Sequence, residues 1–139
     1  MSIRQTSAWI MLGTHVGVYG VYFLILAVGL AQGRRAADFG DLLLGAIVAV
    51  IVIQVVLHVL AAIAMPREAM LPKDERERWI EARSNGVGYY VLACGAVMVA
   101  GGSLLGVGGL LAANGLLLSL VLAEVGRSGS QVVQFARGA

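Results

Sequence analysis

Apolar positions in this chain come in unbroken runs, without the alternation of a half-buried strand or the single stripe of a soluble helix, and polar positions are confined to the gaps between them. Residues 8–30 and 42–65 carry no charge, and at about 1.5 Å per helical residue each run reaches the ~30 Å of a bilayer's hydrocarbon core. The first run follows Arg4 and contains small residues at 27–29 that mimic a signal cleavage site. Its 23 residues exceed the roughly 7 to 15 of a signal's apolar core, so an uncleaved spanning helix is expected. The second run is bounded by Asp41 and by Pro66-Arg67, a charge and a helix breaker.

Between Arg83 and Glu124, 40 residues pass without a charge. As one helix they would extend about 60 Å, twice the hydrocarbon thickness, so the run must fold back. The glycine-rich stretch from Gly101 to Gly109 tolerates the positive φ of a tight turn and divides the run into helices over 87–102 and 108–125. The pattern predicts an all-α polytopic membrane protein: a single domain over 1–139, an antiparallel bundle of four transmembrane helices, with a charged loop at 66–86 and a tail at 126–139. A β-barrel is disfavoured, because the runs lack the alternation that a polar lumen requires.

Composition agrees: 59% hydrophobic and 13% charged residues exclude an ordinary soluble domain. The net charge of +2 is no nucleic-acid footprint, since the basic residues are interleaved with acids. The single Cys94 cannot form an internal disulfide. Ten of the charged residues fall between Arg67 and Arg83. Counting Lys and Arg, the N-terminus, middle loop and tail hold one, five and two, against Arg34 and Arg35 alone in the first loop. The positive-inside rule then places both termini and the 66–86 loop in the cytoplasm, with the chain integral to the inner membrane.

Within the loop, Pro72 suits a first helical turn, followed closely by the acids Asp74 and Glu75. Asp74 and Arg78 can pair at i,i+4, and Trp79-Ile80 supplies an apolar edge, so a short amphipathic helix on the membrane surface is expected. The segment Asp74-Glu75-Arg76-Glu77-Arg78-Trp79-Ile80-Glu81-Ala82-Arg83-Ser84, followed by Tyr89-Tyr90, is similar to a D-E-R-x-R-x-I-E-x-basic-small…Y-Y pattern. The ending Glu124-Val125-Gly126-Arg127-Ser128, with Gln131, Phe135 and Arg137-Gly138, is similar to E-x-x-basic-S…Q…aromatic-x-R-G, with Ala136 where a second basic residue is common. Both motifs resemble small uncharacterised bacterial four-helix integral membrane proteins. That resemblance covers the second half of the chain and implies an architecture without a reaction.

Polar residues inside apolar runs are costly and are normally turned inward. His15 on an outgoing helix and His58 on a returning one lie at equal depth, and Cys94 reaches a similar level on the third. Two imidazoles so placed could ligate a haem iron or a transition metal, with Cys94 as a third ligand. Thr14, Tyr19 and Gln54 offer the alternative of a hydrogen-bonded polar cluster, which is favoured over a cofactor. No Cys-x-x-Cys-His attachment motif is present. Glu124, at the end of the fourth helix, pairs most simply with Arg127 or Ser128, and otherwise would be the coupling acid of a small transporter. Gly13, Gly17 and Gly20 on the first helix and Gly115, Ser119 and Ala123 on the fourth form small-residue stripes for packing inside the chain, with a homodimer contact as the alternative.

No nucleophile, base and oxyanion constellation points to an enzyme. The first expectation is a cytoplasm-facing adaptor, sensor or regulatory membrane subunit, embedded in the lipid bilayer, whose docking surface comprises Asp74, Glu75, Arg76, Arg78, Glu81, Arg83 and Arg127. A bis-His haem or metal redox module comes second and a small transporter third.

Overall fold

A computed structural model describes residues 2–137, so Gly138 of the tail motif lies outside the described residues. Every regular element among those residues is a helix. The first long helix joins α1 (Ile3–Thr14) to α2 (Gly20–Ala31) through a π-helical segment over His15–Tyr19. A 3-10 turn at Ala36–Phe39 leads into the second, α3 (Gly40–Ala64). A short α4 (Pro66–Met70) precedes the third and fourth, α5 (Glu75–Leu104) and α6 (Gly109–Ala136). All four long helices are long and apolar enough to cross a membrane.

Local chemistry explains the ends. Asp74 caps α5: its carboxylate accepts from the Glu77 amide at 2.7 Å, while the Glu77 carboxylate accepts from the Asp74 amide at 3.2 Å. Pro72 therefore precedes the cap and does not occupy the first turn. The capping carboxylate replaces the expected side-chain pairing with Arg78. At the other end Gly106, at φ +93°, closes a Schellman turn in which the Val107 amide donates to Gly102 O at 3.0 Å. Gly33, at φ +81°, does the same after α2, with the Arg34 amide donating to Gly29 O at 3.0 Å. The reversal inside the 40-residue uncharged run thus sits at Gly106 and Gly109, and Gly101 and Gly102 remain helical.

Two boundaries differ from expectation in a way that matters for function. The 74–83 segment is no separate surface helix; it is the start of α5, and Ile80 is fully buried within the fold. The tail is likewise helical to Ala136. At about 1.5 Å per residue, the 30 residues of α5 reach roughly 45 Å, so about ten of them exceed a ~30 Å hydrocarbon layer. Both helices of the second hairpin therefore continue past the apolar zone at the charged end.

The helices also form an open row in place of a closed bundle. The first long helix packs on α3 and on α6, and α6 packs on α5, giving the order second, first, fourth, third. Among the described residues the outer helices α3 and α5 form no substantial interface with each other. Burial follows position: 28% and 22% of the most apolar stretches of the inner helices are buried, against 11% and 6% for the outer ones. The core gathers Tyr19, Tyr22, Leu26, Phe39, Val50 and Val121 between the first three members of the row.

Small residues behave differently on the two inner helices. A Cβ on Gly95 would lie 2.3 Å from Ser119 Oγ and one on Gly115 2.9 Å from a Val99 methyl, while one on Gly88 would lie 3.3 Å from Ala123 O. The stripe of Gly115, Ser119 and Ala123 thus carries the α5–α6 contact. Gly13, Gly17 and Gly20 meet nothing within 4 Å, so this stripe, expected to pack inside the chain, does not. Gly13 and Gly17 instead line an apolar groove between the first helix and α3. Gly95→Val should separate α5 from α6 and destabilise by about 1–3 kcal/mol, whereas Gly13→Ala should be neutral or stabilising by up to about 1 kcal/mol. Unfolding of the two variants in detergent checks the contrast.

Candidate functional site

Polar side chains inside the row form a seam that begins in the middle of the first helix. The π-helical segment sets it up: an i→i+5 turn re-aims successive side chains, and it buries both residues at its ends, His15 and Tyr19. Their rings lie 5.8 Å apart at a 43° tilt. His15 Nδ1 lies 2.9 Å from Met11 O and 3.1 Å from Gln54 Nε2 of α3, so Gln54 ties the first two long helices together. One turn along α3, His58 Nδ1 lies 2.8 Å from Gln54 O. The two histidines thus meet on one residue, His15 through its side chain and His58 through its backbone. Thr14, expected as a partner in this cluster, turns its hydroxyl to Ile10 O on its own helix at 2.7 Å.

The contacts of His15 carry a chemical constraint. Met11 O only accepts, so an Nδ1–H pointing at it requires the Gln54 amide to present its oxygen to the ring. A bare Nδ1 requires the amide NH2 instead. In the first arrangement, shared by His58, the Nε2 lone pair is the one left for a further partner. Backbone carbonyls orient metal-ligating histidines in the same way. Cys94 does not join them: it is exposed on the outer helix α5. Among the described residues no group of three His, Cys, Asp or Glu side chains could hold a metal ion.

A second polar bridge went unrecognised in the sequence. Tyr22 Oη donates to Asn114 Oδ1 on α6, and Asn114 Nδ2 donates to Leu110 O at 2.7 Å. Both residues are buried. Asn114 could have been found as the one amide side chain in the 40-residue uncharged run after its first three residues.

At the charged end, side chains from all four long helices and the loop before α5 line a partly open cavity of about 310 Å³. Ser7, Ala8 and Met11 line it from α1, His58 from α3, Ile80 from α5 and Gln131 and Phe135 from α6. Arg4, Lys73, Arg127, Glu77 and Glu81 supply its charges. Arg4 bridges to Glu77 at 2.5 Å and donates to Leu71 O at 2.9 Å, while the Ile3 amide donates to Glu68 at 2.8 Å. The start of α1 is thereby fastened to α4, the loop and α5. Lys73 pairs with Glu81 at 2.5 Å. Glu124 pairs with Arg127, whose Nε and a terminal nitrogen both donate to one carboxylate oxygen, at 3.1 and 2.7 Å. Ser128 has no part in that pair; its hydroxyl is buried without a hydrogen-bond partner. Behind the cavity, Gln134 Nε2 donates to Ser84 Oγ at 3.2 Å and Ser130 Oγ at 2.8 Å, joining α5 to α6.

The expected docking residues divide into two groups. Glu81 and Arg127 belong to the cavity wall. Asp74, Glu75, Arg76, Arg78 and Arg83 are exposed, and Arg83 stacks over the exposed ring of Trp79 at 5.2 Å. Comparison with protein-family models, curated proteins and solved structures finds no match to this chain.

Interhelical hydrogen bonds in membranes average about 0.6 kcal/mol and reach about 1.7. Gln54→Leu and Tyr22→Phe should each destabilise within that range. Their effects should add, since the first acts between the first helix and α3 and the second between the first helix and α6. Unfolding of both single variants and the double variant in detergent tests this; strong coupling would show that the two bridges form one network.

Proposed function

We propose that this chain is a regulatory or sensory membrane subunit whose working end is the charged one, facing the cytoplasm. The observation that carries the reading is the continuation of α5 and α6 beyond membrane length into a helical platform fastened by the Arg4–Glu77 and Lys73–Glu81 pairs. A loop needed only for topology would not require a capping box, a buried Ile80 and a cavity shared with all four long helices. The charge asymmetry of the sequence supports the cytoplasmic assignment. The exposed Arg78, Trp79 and Arg83 form the face offered to a cytoplasmic protein, while the cavity is the site through which a bound ligand would alter that face.

A photo-crosslinker at Arg78 should give a discrete protein adduct in native membranes, whereas one at Val97, exposed on the same helix within its apolar part, should give lipid adducts. Reversal of Arg83 to Glu should remove the Arg78 adduct. Lipid adducts alone at both positions would overturn the docking reading.

A second reading, a haem or metal site, is favoured by one observation: both imidazoles set Nδ1 against a backbone carbonyl in neighbouring helices. Visible absorption and metal content of purified protein decide it. We expect no Soret band and no stoichiometric metal, with His15→Ala destabilised through the loss of its Gln54 contact. A Soret band abolished in both His15→Ala and His58→Ala would establish the second reading instead. Transport through Glu124 finds less support, because that carboxylate is held in an ion pair on its own helix.

A further inference from the structure

We infer that the cavity at the charged end binds a phosphate ester, held by Arg4, Lys73 and Arg127. The inference rests on reading this cavity as the ligand site of the subunit. Its wall holds three permanent cations against two carboxylates. Each carboxylate is neutralised within the wall, Glu77 by Arg4 and Glu81 by Lys73. The partner of the third cation, Glu124, is not part of the wall. All three cations are thus paired, and Arg127 is the one whose counter-charge lies outside the wall, with the hydroxyl of Ser7, the amide of Gln131 and the imidazole of His58 as further hydrogen-bonding groups. A phosphate group, one charge as a diester and about 1.5 to 2 as a monoester, suits that arrangement. A ligand bearing several carboxylates would meet Glu77 and Glu81 as repulsion.

Size and position narrow the class. A volume of about 310 Å³ exceeds what a bare inorganic ion fills and lies at the lower end of small-molecule pockets, roughly 300–1,000 Å³. The wall also contains Ala8, Met11, Ile80 and Phe135, so the ligand needs an uncharged body beside its anion. Because α5 outruns the hydrocarbon layer at this end, the cavity lies at the level of lipid headgroups, where basic pockets between spanning helices take phosphate-bearing head groups. A phosphodiester headgroup and a soluble phosphate monoester share this chemistry, and the two sources separate by experiment.

The full chain is placed in phosphatidylcholine nanodiscs with and without phosphatidylglycerol, and separately titrated in detergent with glycerol 3-phosphate. Native mass spectrometry reads bound lipid, and phosphorus NMR line broadening reads the soluble ester. Two variants accompany the wild type: Ser7→Phe, which fills the cavity and keeps every charge, and Lys73→Gln, at an exposed pair whose loss leaves the buried contacts intact. Retention of phosphatidylglycerol over phosphatidylcholine, reduced about tenfold in both variants, supports a lipid source. Saturable broadening of glycerol 3-phosphate, reduced in the same variants, supports a soluble one. Retention equal in wild type and Ser7→Phe with matched melting, or no binding of either probe to wild type, overturns the proposal. In that case a surviving protein adduct at Arg78 leaves the regulatory reading in place, whereas loss of both removes it.

Discussion

Hydrocarbon offers no hydrogen bonds, so every polar group within an apolar helix must find its partner in the protein. That constraint organises this structure. Thr14, Ser103 and Ser119 resolve it locally by donating to carbonyls four residues earlier on their own helices. Such bonds make no tertiary contact and allow these residues to sit on any face. Gln54 and Asn114 are different, because a primary amide has more donors and acceptors than one turn can satisfy. Each therefore reaches the neighbouring helix, Gln54 to His15 and Asn114 to Tyr22. The first helix receives both, and so sits inside the row between α3 and α6.

The same logic changes at the charged end. Here water is at hand, and ion pairs between exposed groups contribute little by themselves. The Arg4–Glu77 pair is the exception, since its side chains are only 24% and 12% exposed and Glu77 simultaneously closes the α5 capping box. One carboxylate thus stops the fraying of α5 and anchors the start of α1. Around it the Ser84, Ser130 and Gln134 contacts carry the α5–α6 seam past membrane length. Small Ser7 and Ala8 line the cavity together with the long side chains of Arg4, Lys73 and Arg127.

Close packing decides the remaining geometry. Gly95 and Gly115 let α5 and α6 approach until a Cβ at either would overlap the opposite helix. Gly29 does the same for the ring of Phe39, which Arg34 covers at 4.6 Å, locking the turn between α2 and α3. Where such fits are missing, as along Gly13 and Gly17, the helices leave a groove instead. A small-residue stripe therefore permits close approach without ensuring it.

What the sequence determined by itself is the inventory and its polarity. Long uncharged runs required four membrane-length helices, glycine at a positive-φ position ended two of them, and the placement of Lys and Arg marked one end as charged. Glu124 with Arg127 was legible too, because an i,i+3 pair depends only on helical spacing. The candidate site was legible in part: His15 and His58 stood out as polar residues at one depth, with Gln54 as a partner within the cluster, but not which atoms would meet. Asn114, Arg4 and Glu77 became significant only when distant segments came together across 92 and 73 residues. The order of the helices, the extension of α5 and α6 into a platform and the cavity itself were decided by the tertiary structure. Apolar runs carry no directional signal in hydrocarbon, so neighbours are chosen by shape and by a few hydrogen bonds that no local pattern encodes.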